Sequence, residues 1–201
     1  MNMKTGFIIA ALLMCFSAAS IAQSPVSFGL RGGVNFQNLN GKNATGGNLD
    51  NKLKVGFNAG VTADIPVAAP DYFVQTGLLF TTKGAKVETV GGPANKVNLN
   101  YLEIPITFLY KPVLGEGRLL LGVGPYLGFG IGGSADYGDI DFDNDLKRFD
   151  AGGNVLFGYQ FTPNISAQLN AQLGLVNIQK NTTGDETIKN TGFGVSLGYH
   201  F

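Results

Sequence analysis

Residues 191–201, TGFGVSLGYHF, alternate one position at a time between two kinds of residue. Every second position from Phe193 to Phe201 carries a large apolar side chain, and the positions between carry glycine, serine or histidine. A period of two is that of a β-strand whose two faces have different surroundings. The stretch therefore predicts a strand that meets an apolar environment on one face only.

The same alternation occurs seven more times earlier in the chain. These predicted strands lie near residues 26–37, 55–65, 72–83, 98–110, 119–132, 149–161 and 165–178. Each is long enough to cross the hydrocarbon layer of a membrane when tilted, which takes about 9–11 residues.

The segments between the predicted strands differ regularly in length. Long polar segments follow the first, third, fifth and seventh strands, at residues 38–54, 84–97, 133–148 and 179–190. Only short turns follow the even-numbered strands. Transmembrane barrels have short periplasmic turns and longer outer loops. The sequence thus predicts an all-β fold, an eight-stranded antiparallel up-and-down transmembrane β-barrel whose last strand pairs with its first.

A soluble eight-stranded calyx would show the same period with its apolar face turned inward. Only 14% of the residues are charged, against about 25% in an ordinary soluble domain, and this favours the membrane barrel. The predicted polar faces carry few ionisable side chains: Arg31, Asp64, Lys83, Glu103, Asp150 and His200. The formal net charge of zero provides no basic surface for nucleic acid.

The N-terminus has the layout of a secretory signal peptide, predicted over residues 1–22. Lys4 precedes an apolar run at residues 7–16, and the small residues Ser20 and Ala22 follow it. This run is shorter than the roughly 20 residues of a spanning helix. We expect residues 23–201 to be one outer-membrane barrel domain with no separate periplasmic domain. The single cysteine, Cys15, falls inside the predicted signal, so no disulfide is expected in the mature chain.

Four segments resemble the PorT-type outer-membrane β-barrel family. They are LRGGVNF at 30–36, YLEIPI at 101–106, GVGPYLGFG at 122–130 and FDAGGNVLFGYQF at 149–161. The resemblance implies a location in the outer membrane and, for Phe201, the role of a terminal aromatic recognised by the outer-membrane assembly machinery. It implies little about activity, since the founding member is linked to protein secretion and gliding and most members have no assigned role.

Four charged residues, Arg31, Asp64, Glu103 and Asp150, fall on the polar faces and are predicted to point into the lumen. An eight-stranded barrel has an interior just wide enough for side chains to fill. A buried arginine among carboxylates is expected to pair with them. The four residues therefore predict a charge network that acts as a structural plug.

Two prolines, Pro105 and Pro125, lie inside neighbouring predicted strands. Counting outward from the turn between these strands places the two prolines on adjacent rungs. Because proline cannot donate a ladder hydrogen bond, we expect the ladder to be interrupted there by a bulge or kink.

No residue set predicts a cofactor, metal or catalytic site. The acidic segment 136–145 places aspartates at alternate positions, but Asn144 stands where a calcium loop requires glycine. The only histidine, His200, shares a strand face with Ser196, yet an extended strand separates them by about 13 Å.

The sequence therefore favours a non-catalytic structural or interaction protein that acts through its surface loops, accessory to secretion or adhesion. Its expected partners are outer-membrane lipids, the assembly machinery and an unidentified protein bound by the loops. One alternative is a narrow pore or carrier for small or hydrophobic solutes. A more distant alternative is a lipid-modifying membrane enzyme.

Overall fold

The computed structural model describes residues 26–43, 46–49, 51–67, 70–87, 95–136, 138–140, 142, 146–180 and 186–201. The expected signal peptide lies outside these residues. None of the described residues forms a helix long and apolar enough to cross a membrane.

Eight long strands make up most of the described chain. They are β1 (Ser27–Lys42), β2 (Lys54–Pro66), β3 (Tyr72–Val87), β4 (Asn95–Tyr110), β5 (Gly117–Ala135), β6 (Phe149–Gln160), β7 (Ile165–Gly174) and β8 (Thr187–His200). Three short segments, Asn51–Lys52, Val113–Leu114 and Gly138–Ile140, pair with the ends of β3 and β5.

The eight strands close into one antiparallel barrel. Every strand pairs with its neighbours along the chain. The last strand, β8, pairs with β1 from Gly29↔His200 to Lys42↔Thr187. The predicted fold and the predicted pairing of the last strand with the first are both confirmed, and the closed wall has no free edge.

The two faces of the wall differ in the direction predicted for a membrane barrel. On β5, the outward side chains of Val123 and Phe129 are 60% and 52% exposed, whereas the inward Leu120 and Tyr126 are 2% and 0% exposed. The inner face elsewhere carries mainly Asn, Gln, Thr, Ser and charged side chains. This is the reverse of a calyx, whose apolar face lines the interior.

Several strands continue beyond the band of outward apolar side chains, which we call the apolar belt, into segments predicted as loops. β1 runs to Lys42, β3 to Val87, and β8 already begins at Thr187. Their outward positions are polar there, which is why the alternation ended earlier in the sequence. The inward Leu39, Ala85 and Ile188 are apolar there and pack in one cluster, so the ladder continues without lipid around it. β7 is shorter than predicted and ends at Gly174.

The predicted interruption of the ladder at Pro105 and Pro125 is confirmed. Pro105 pairs with Tyr126, one position from Pro125, and the β4–β5 ladder is broken between this rung and Phe108↔Val123. The register is the same on both sides of this break. The bulge lies elsewhere, between Asn100 and Tyr101, where β5 contributes one extra residue. A missing donor removes hydrogen bonds without requiring an inserted residue.

A second interruption lies between β2 and β3. Their ladder ends at Asn58↔Thr81, although both strands continue toward the outer side. The Phe57 N–H donates to Thr82 Oγ1 at 2.8 Å, and the Thr82 hydroxyl lies 3.3 Å from Phe57 O. The Lys54 ammonium donates to Lys83 O at 3.2 Å. Side chains thus replace backbone hydrogen bonds along this part of the wall, which we call the β2–β3 gap.

Candidate functional site: the filled lumen

The middle of the lumen holds a group of buried polar side chains from five strands, which we call the central charge cluster: Lys83, Glu103, Tyr126, Asp150 and Asn190. Lys83 Nζ lies 2.5 Å from Glu103 Oε1 and 3.0 Å from Asp150 Oδ2. The Tyr126 hydroxyl and the Asn190 amide donate to the same Asp150 oxygen at 3.2 and 2.9 Å. All five are at most 2% exposed. One cation therefore serves two carboxylates away from bulk water.

The strand register explains why these side chains converge. Glu103 and Asp150 both pair with Gly128, which stands between them on the inner wall. Because glycine has no side chain, both carboxylates can lean toward Lys83 on β3. The Lys83 ammonium also lies 4.3 Å from the ring centre of Tyr126 and 5.3 Å from that of Tyr101. Such cation–π contacts add stabilisation where the cation is desolvated.

A second cluster lies nearer the short turns and the C-terminus. Lys111 Nζ is 2.9 Å from Asp64 Oδ2, and the Gln75 amide donates to Asp64 Oδ1 at 2.8 Å. Lys111 also lies 4.8 Å from the ring centre of Phe73. Asp64 thus belongs to a separate ion pair and does not join Glu103 and Asp150.

Arg31 differs from the expectation that it pairs with the carboxylates. Among the described residues, Glu103 and Asp150 pair with Lys83 and Asp64 pairs with Lys111, while Arg31 has no ion pair. Arg31 is in register with Gly60 on one side and Gly198 on the other. The long arginine side chain therefore enters the lumen beside two positions that have no side chain.

The arginine side chain borders a small polar cavity of about 30 Å³. Asn35, Gln37, Thr81 and Asn170 also line it, and each has a buried oxygen without a hydrogen-bond partner in the described part of the chain. A buried water needs roughly 10–15 Å³ and several polar partners. The cavity has the size and the lining of a hydration site for about two waters, which is far smaller than a solute pathway.

Apolar clusters lie in the lumen above and below its polar middle. The outer one contains Leu39, Ala85, Val97, Leu99, Tyr101, Phe142 and Ile178. Phe142 and Ile178 come from the segments after β5 and β7, and the Phe142 ring meets Tyr101 edge-on at 5.6 Å. The inner one contains Leu109, Leu120 and Leu156, with Phe73 packed against them. We call these two groups of inward apolar side chains the outer and the inner stopper.

A serine, the histidine and an aspartate meet near the periplasmic end. Ser166 Oγ lies 3.4 Å from His200 Nε2, and His200 Nδ1 lies 3.9 Å from Asp64 Oδ2. The second distance is too long for the hydrogen bond that orients a catalytic histidine. Ser166 is fully buried, and Asp64 is already bound by Lys111 and Gln75. The arrangement offers neither an oriented base nor access for a substrate.

Metal ligands are not grouped anywhere in the described ranges, because no three His, Cys, Asp or Glu side chains there could hold one ion. In the acidic segment 136–145, residues 137, 141 and 143–145 lie outside the described residues. Asp139 lies in the Gly138–Ile140 segment, which extends the β5 hairpin, and Asp136 accepts a hydrogen bond from the Lys96 N–H at 2.8 Å.

Two lysines of the lumen were absent from the predicted network. Lys83 is on the polar face of the third predicted strand, so the sequence predicts that its side chain points inward. The sequence does not predict that Lys83 pairs with both Glu103 and Asp150. Lys111 falls directly after β4, within the predicted turn, and nothing in the local pattern directs it inward. Asn190, which joins the cluster, lies in a segment predicted as loop.

Comparison with known proteins identifies the family of the chain and solved structures with a similar fold. The family described as "Outer membrane protein beta-barrel domain" matches residues 21–180. No curated protein sequence matches the chain. Among solved structures, Neisserial surface protein A (NspA) has 14% identity and a TM-score of 0.52, covering 89% of this chain and 100% of its own. At this identity the likeness shows the fold alone.

Two further structures are similar at lower TM-scores. Ail, the attachment invasion locus protein of Yersinia pestis, in complex with the heparin analogue sucrose octasulfate, has 17% identity and a TM-score of 0.46, covering 89% of this chain and 100% of its own. OprG from Pseudomonas aeruginosa has 12% identity and a TM-score of 0.45, covering 87% and 95%.

Proposed function

The chain belongs to the family of outer membrane protein beta-barrel domains and is located in the outer membrane, and we propose that it acts there as a non-catalytic structural or interaction protein. In this proposal the barrel is a rigid, closed support, and the segments beyond its outer end bind a protein partner. In its specific form the proposed role is accessory to secretion, which the resemblance to the PorT-type family suggests, or to adhesion.

The filling of the lumen is the observation that carries this proposal. The central charge cluster lies between two apolar stoppers, and its members are almost fully buried. A conduction path would have to separate Lys83 from two carboxylates, and breaking a buried ion pair costs several kcal/mol. We propose that the predicted plug consists of Lys83, Glu103 and Asp150 in the middle and of Asp64 with Lys111 below, with Arg31 beside the cavity.

Recording from planar bilayers tests the closed lumen. The reconstituted barrel is expected to give no stable single-channel steps, because the buried charge cluster fills its middle and the polar cavity beside Arg31 has only about 30 Å³, room for about two waters. Well-resolved, repeatable steps from the folded protein would refute a plugged lumen. A preparation with the same detergent and lipid but no protein is the matched control.

The role of the outer segments is tested by shortening one of them. Replacing residues 179–186 by a short glycine-serine linker leaves the paired parts of β7 and β8 intact, since their pairing runs from Ile165↔Tyr199 to Leu173↔Thr191. We expect this variant to fold and to lose partners that cross-link to the intact barrel in its native membrane. Unchanged cross-linked partners after shortening each outer segment in turn would contradict action through the loops.

A narrow carrier for small or hydrophobic solutes is the second candidate, and the β2–β3 gap favours it. Only side-chain bonds from Thr82 and Lys54 join the two strands there. A cysteine pair that joins β2 to β3 across the gap would hold the strands together. Solute uptake that is blocked by this disulfide and restored by reduction would favour the carrier, while uptake equal to that of barrel-free vesicles excludes it.

A further inference from the structure

One rung of the barrel wall carries two charged side chains three strands apart, both directed into the lumen. Arg31 on β1 is in register with Gly60 on β2, and Gly60 is in register with Leu79 on β3. Leu79 in turn is in register with Glu103 on β4. Neighbouring strands lie about 4.8 Å apart, so the arginine and the glutamate begin about 14 Å apart along the wall. The glycine and the leucine between them offer no polar side chain to either charge.

The two charged side chains border the same space. Arg31 and Glu103 both line the cavity of about 30 Å³. The Nε atom of Arg31 is buried and has no hydrogen-bond partner in the described part of the chain. Glu103 shares the Lys83 ammonium with Asp150, so one cation of the central charge cluster serves two carboxylates. A cation without a direct partner therefore shares a cavity with a cluster that has an excess negative charge.

Another lumen cation, Lys54, also has no carboxylate partner among the described residues, but it lies elsewhere. It is 7% exposed, and its ammonium donates to Lys83 O at 3.2 Å. Lys54 does not border the cavity, whereas Arg31 does. Arg31 is therefore the additional cation that can balance Glu103 across this space.

The polar atoms around the cavity decide what can lie between the two charges. Asn35, Gln37 and Asn170 each have a buried side-chain oxygen there without a partner in the described chain. These oxygens only accept hydrogen bonds, and the guanidinium of Arg31 only donates them. An anion could accept from the guanidinium but could not donate to the oxygens, and a metal ion would be repelled by the arginine. Water does both, and the cavity has room for about two molecules.

The same cavity borders the β2–β3 gap. Asn58 and Thr81 form the last paired rung before the gap, and both line the cavity. Asn35 on β1, another lining residue, donates to Thr82 O on β3 at 3.3 Å. The strands β1 and β4 flank the two strands that the gap separates. A link between the arginine on β1 and the glutamate on β4 therefore joins the two sides of the gap where the backbone ladder does not.

We propose that Arg31 and Glu103 form a water-mediated ion pair across this cavity, and that the pair holds β2 and β3 together behind the gap. The guanidinium donates to the waters, and the waters donate to the Glu103 carboxylate and to the amide oxygens of the lining. Water-mediated hydrogen bonds are enthalpically nearly as favourable as direct ones. The pair belongs to the folded wall itself, so it stands whether or not the loops bind a partner.

A double-mutant cycle tests the ion pair. The variants are Arg31→Met, Glu103→Gln and the two combined, and the measurement is urea unfolding of the barrel refolded in lipid micelles. An arginine with no compensating charge would cost stability, so its replacement by methionine would leave the barrel equally stable or more stable. We expect instead that Arg31→Met raises the unfolding equilibrium constant about tenfold in the wild type and at most about twofold in the Glu103→Gln background.

Lys111→Met in the same two backgrounds is the matched control. Lys111 pairs with Asp64 and does not border the cavity. Its effect on the unfolding equilibrium constant should therefore be the same with and without Glu103→Gln, to within about twofold.

A distance measurement in the folded barrel tests the effect on the gap. Val55 and Lys86 lie on the two strands that the gap separates, and the chain has no cysteine after Cys15. Nitroxide labels on Val55→Cys and Lys86→Cys report the distance across the gap by electron paramagnetic resonance. We expect one narrow distance distribution in the otherwise unchanged barrel and an added, longer component with Arg31→Met. Labels on Leu169→Cys and Leu197→Cys, on the intact ladder of β7 and β8, should show no change.

Three results would overturn the proposal. The first is an effect of Arg31→Met that is the same with and without Glu103→Gln. The second is an unchanged label distance across the gap in Arg31→Met. The third is a crystal structure of the wild-type barrel that resolves internal waters and shows none within hydrogen-bond distance of both Arg31 and Glu103. Because this last measurement uses the wild-type chain, it holds even where a variant fails to fold.

Discussion

Replacing Lys83 by methionine tests whether the central charge cluster holds the barrel together. Methionine has a similar length and no charge, so the change removes the ammonium while filling much of its space. Glu103 and Asp150 then stay buried, at 2% and 0% exposure, without the cation that both contact within 3.0 Å. Removing one partner from a buried ion pair costs about 3–5 kcal/mol. We expect Lys83→Met to lower the free energy of unfolding by that amount.

The measurement is equilibrium unfolding in urea of the barrel refolded in lipid micelles. The chain has no tryptophan, so far-UV circular dichroism and the mobility shift of folded barrels on unheated gels report the transition. Lys147→Met, which removes an exposed lysine, serves as the control and should change the free energy by no more than about 0.5 kcal/mol. Equal slopes of unfolding against urea would show that the variants unfold from comparable states.

A triple variant separates the effect of charge from that of side-chain contacts. In Lys83→Met/Glu103→Gln/Asp150→Asn the buried charges are gone and only a few hydrogen bonds are lost, each worth about 1 kcal/mol. We expect the triple variant to be more stable than Lys83→Met alone. If Lys83→Met unfolds like the wild type, or if the triple variant is the less stable of the two, the reasoning from unpaired buried charge is refuted.

Three other predictions concern single positions. Gly84→Ala should destabilise the barrel by about 1–3 kcal/mol, because Gly84 has a φ of +121° and an added Cβ would clash with the Val97 carbonyl oxygen. Gly153→Ala, with nothing within 4 Å of its added Cβ, should be nearly neutral by the same unfolding assay. A fluorophosphonate probe should leave the folded barrel unlabelled, since Ser166 is buried, and labelling that Ser166→Ala abolishes would instead indicate an enzyme. Phe201→Ser should slow insertion into the outer membrane in cells while leaving the unfolding free energy of refolded protein within about 0.5 kcal/mol; normal insertion would contradict an assembly signal at this residue.

The architecture could be predicted from the sequence because one physical contrast repeats along the chain. Lipid outside and packed polar groups inside impose a period of two on each strand, as on β5, where leucine, valine and phenylalanine alternate with glycine. Above the belt the outer surroundings become polar and the contrast disappears. The pattern therefore predicts loops at the outer ends of β1, β3 and β8, although Leu39, Ala85 and Ile188 still pack inside.

The sequence predicts which side chains of the site point inward, but it does not predict which of them contact each other. The alternation identifies which residues point inward, and it did so for Asp64, Glu103 and Asp150. Which of them meet depends on the stagger between strands and on where glycines leave room. Lys83 is the shared cation, with Gly128 between the two carboxylates. Arg31, beside Gly60 and Gly198, lines the same cavity as Glu103 but forms no ion pair among the described residues.

The side chains that break the alternation support the proposal of a plugged lumen. Phe73 and Leu79 are apolar residues at inward positions of β3, where the pattern calls for polar ones. Phe73 packs against the inner stopper, and Leu79 lines the polar cavity at 4% exposure. Apolar inward residues at both ends separate Lys83, Glu103 and Asp150 from bulk water, which strengthens the ion pairs between them. The interior is therefore suited to stability, and the outer wall and the loops are the surfaces on which specific recognition can occur.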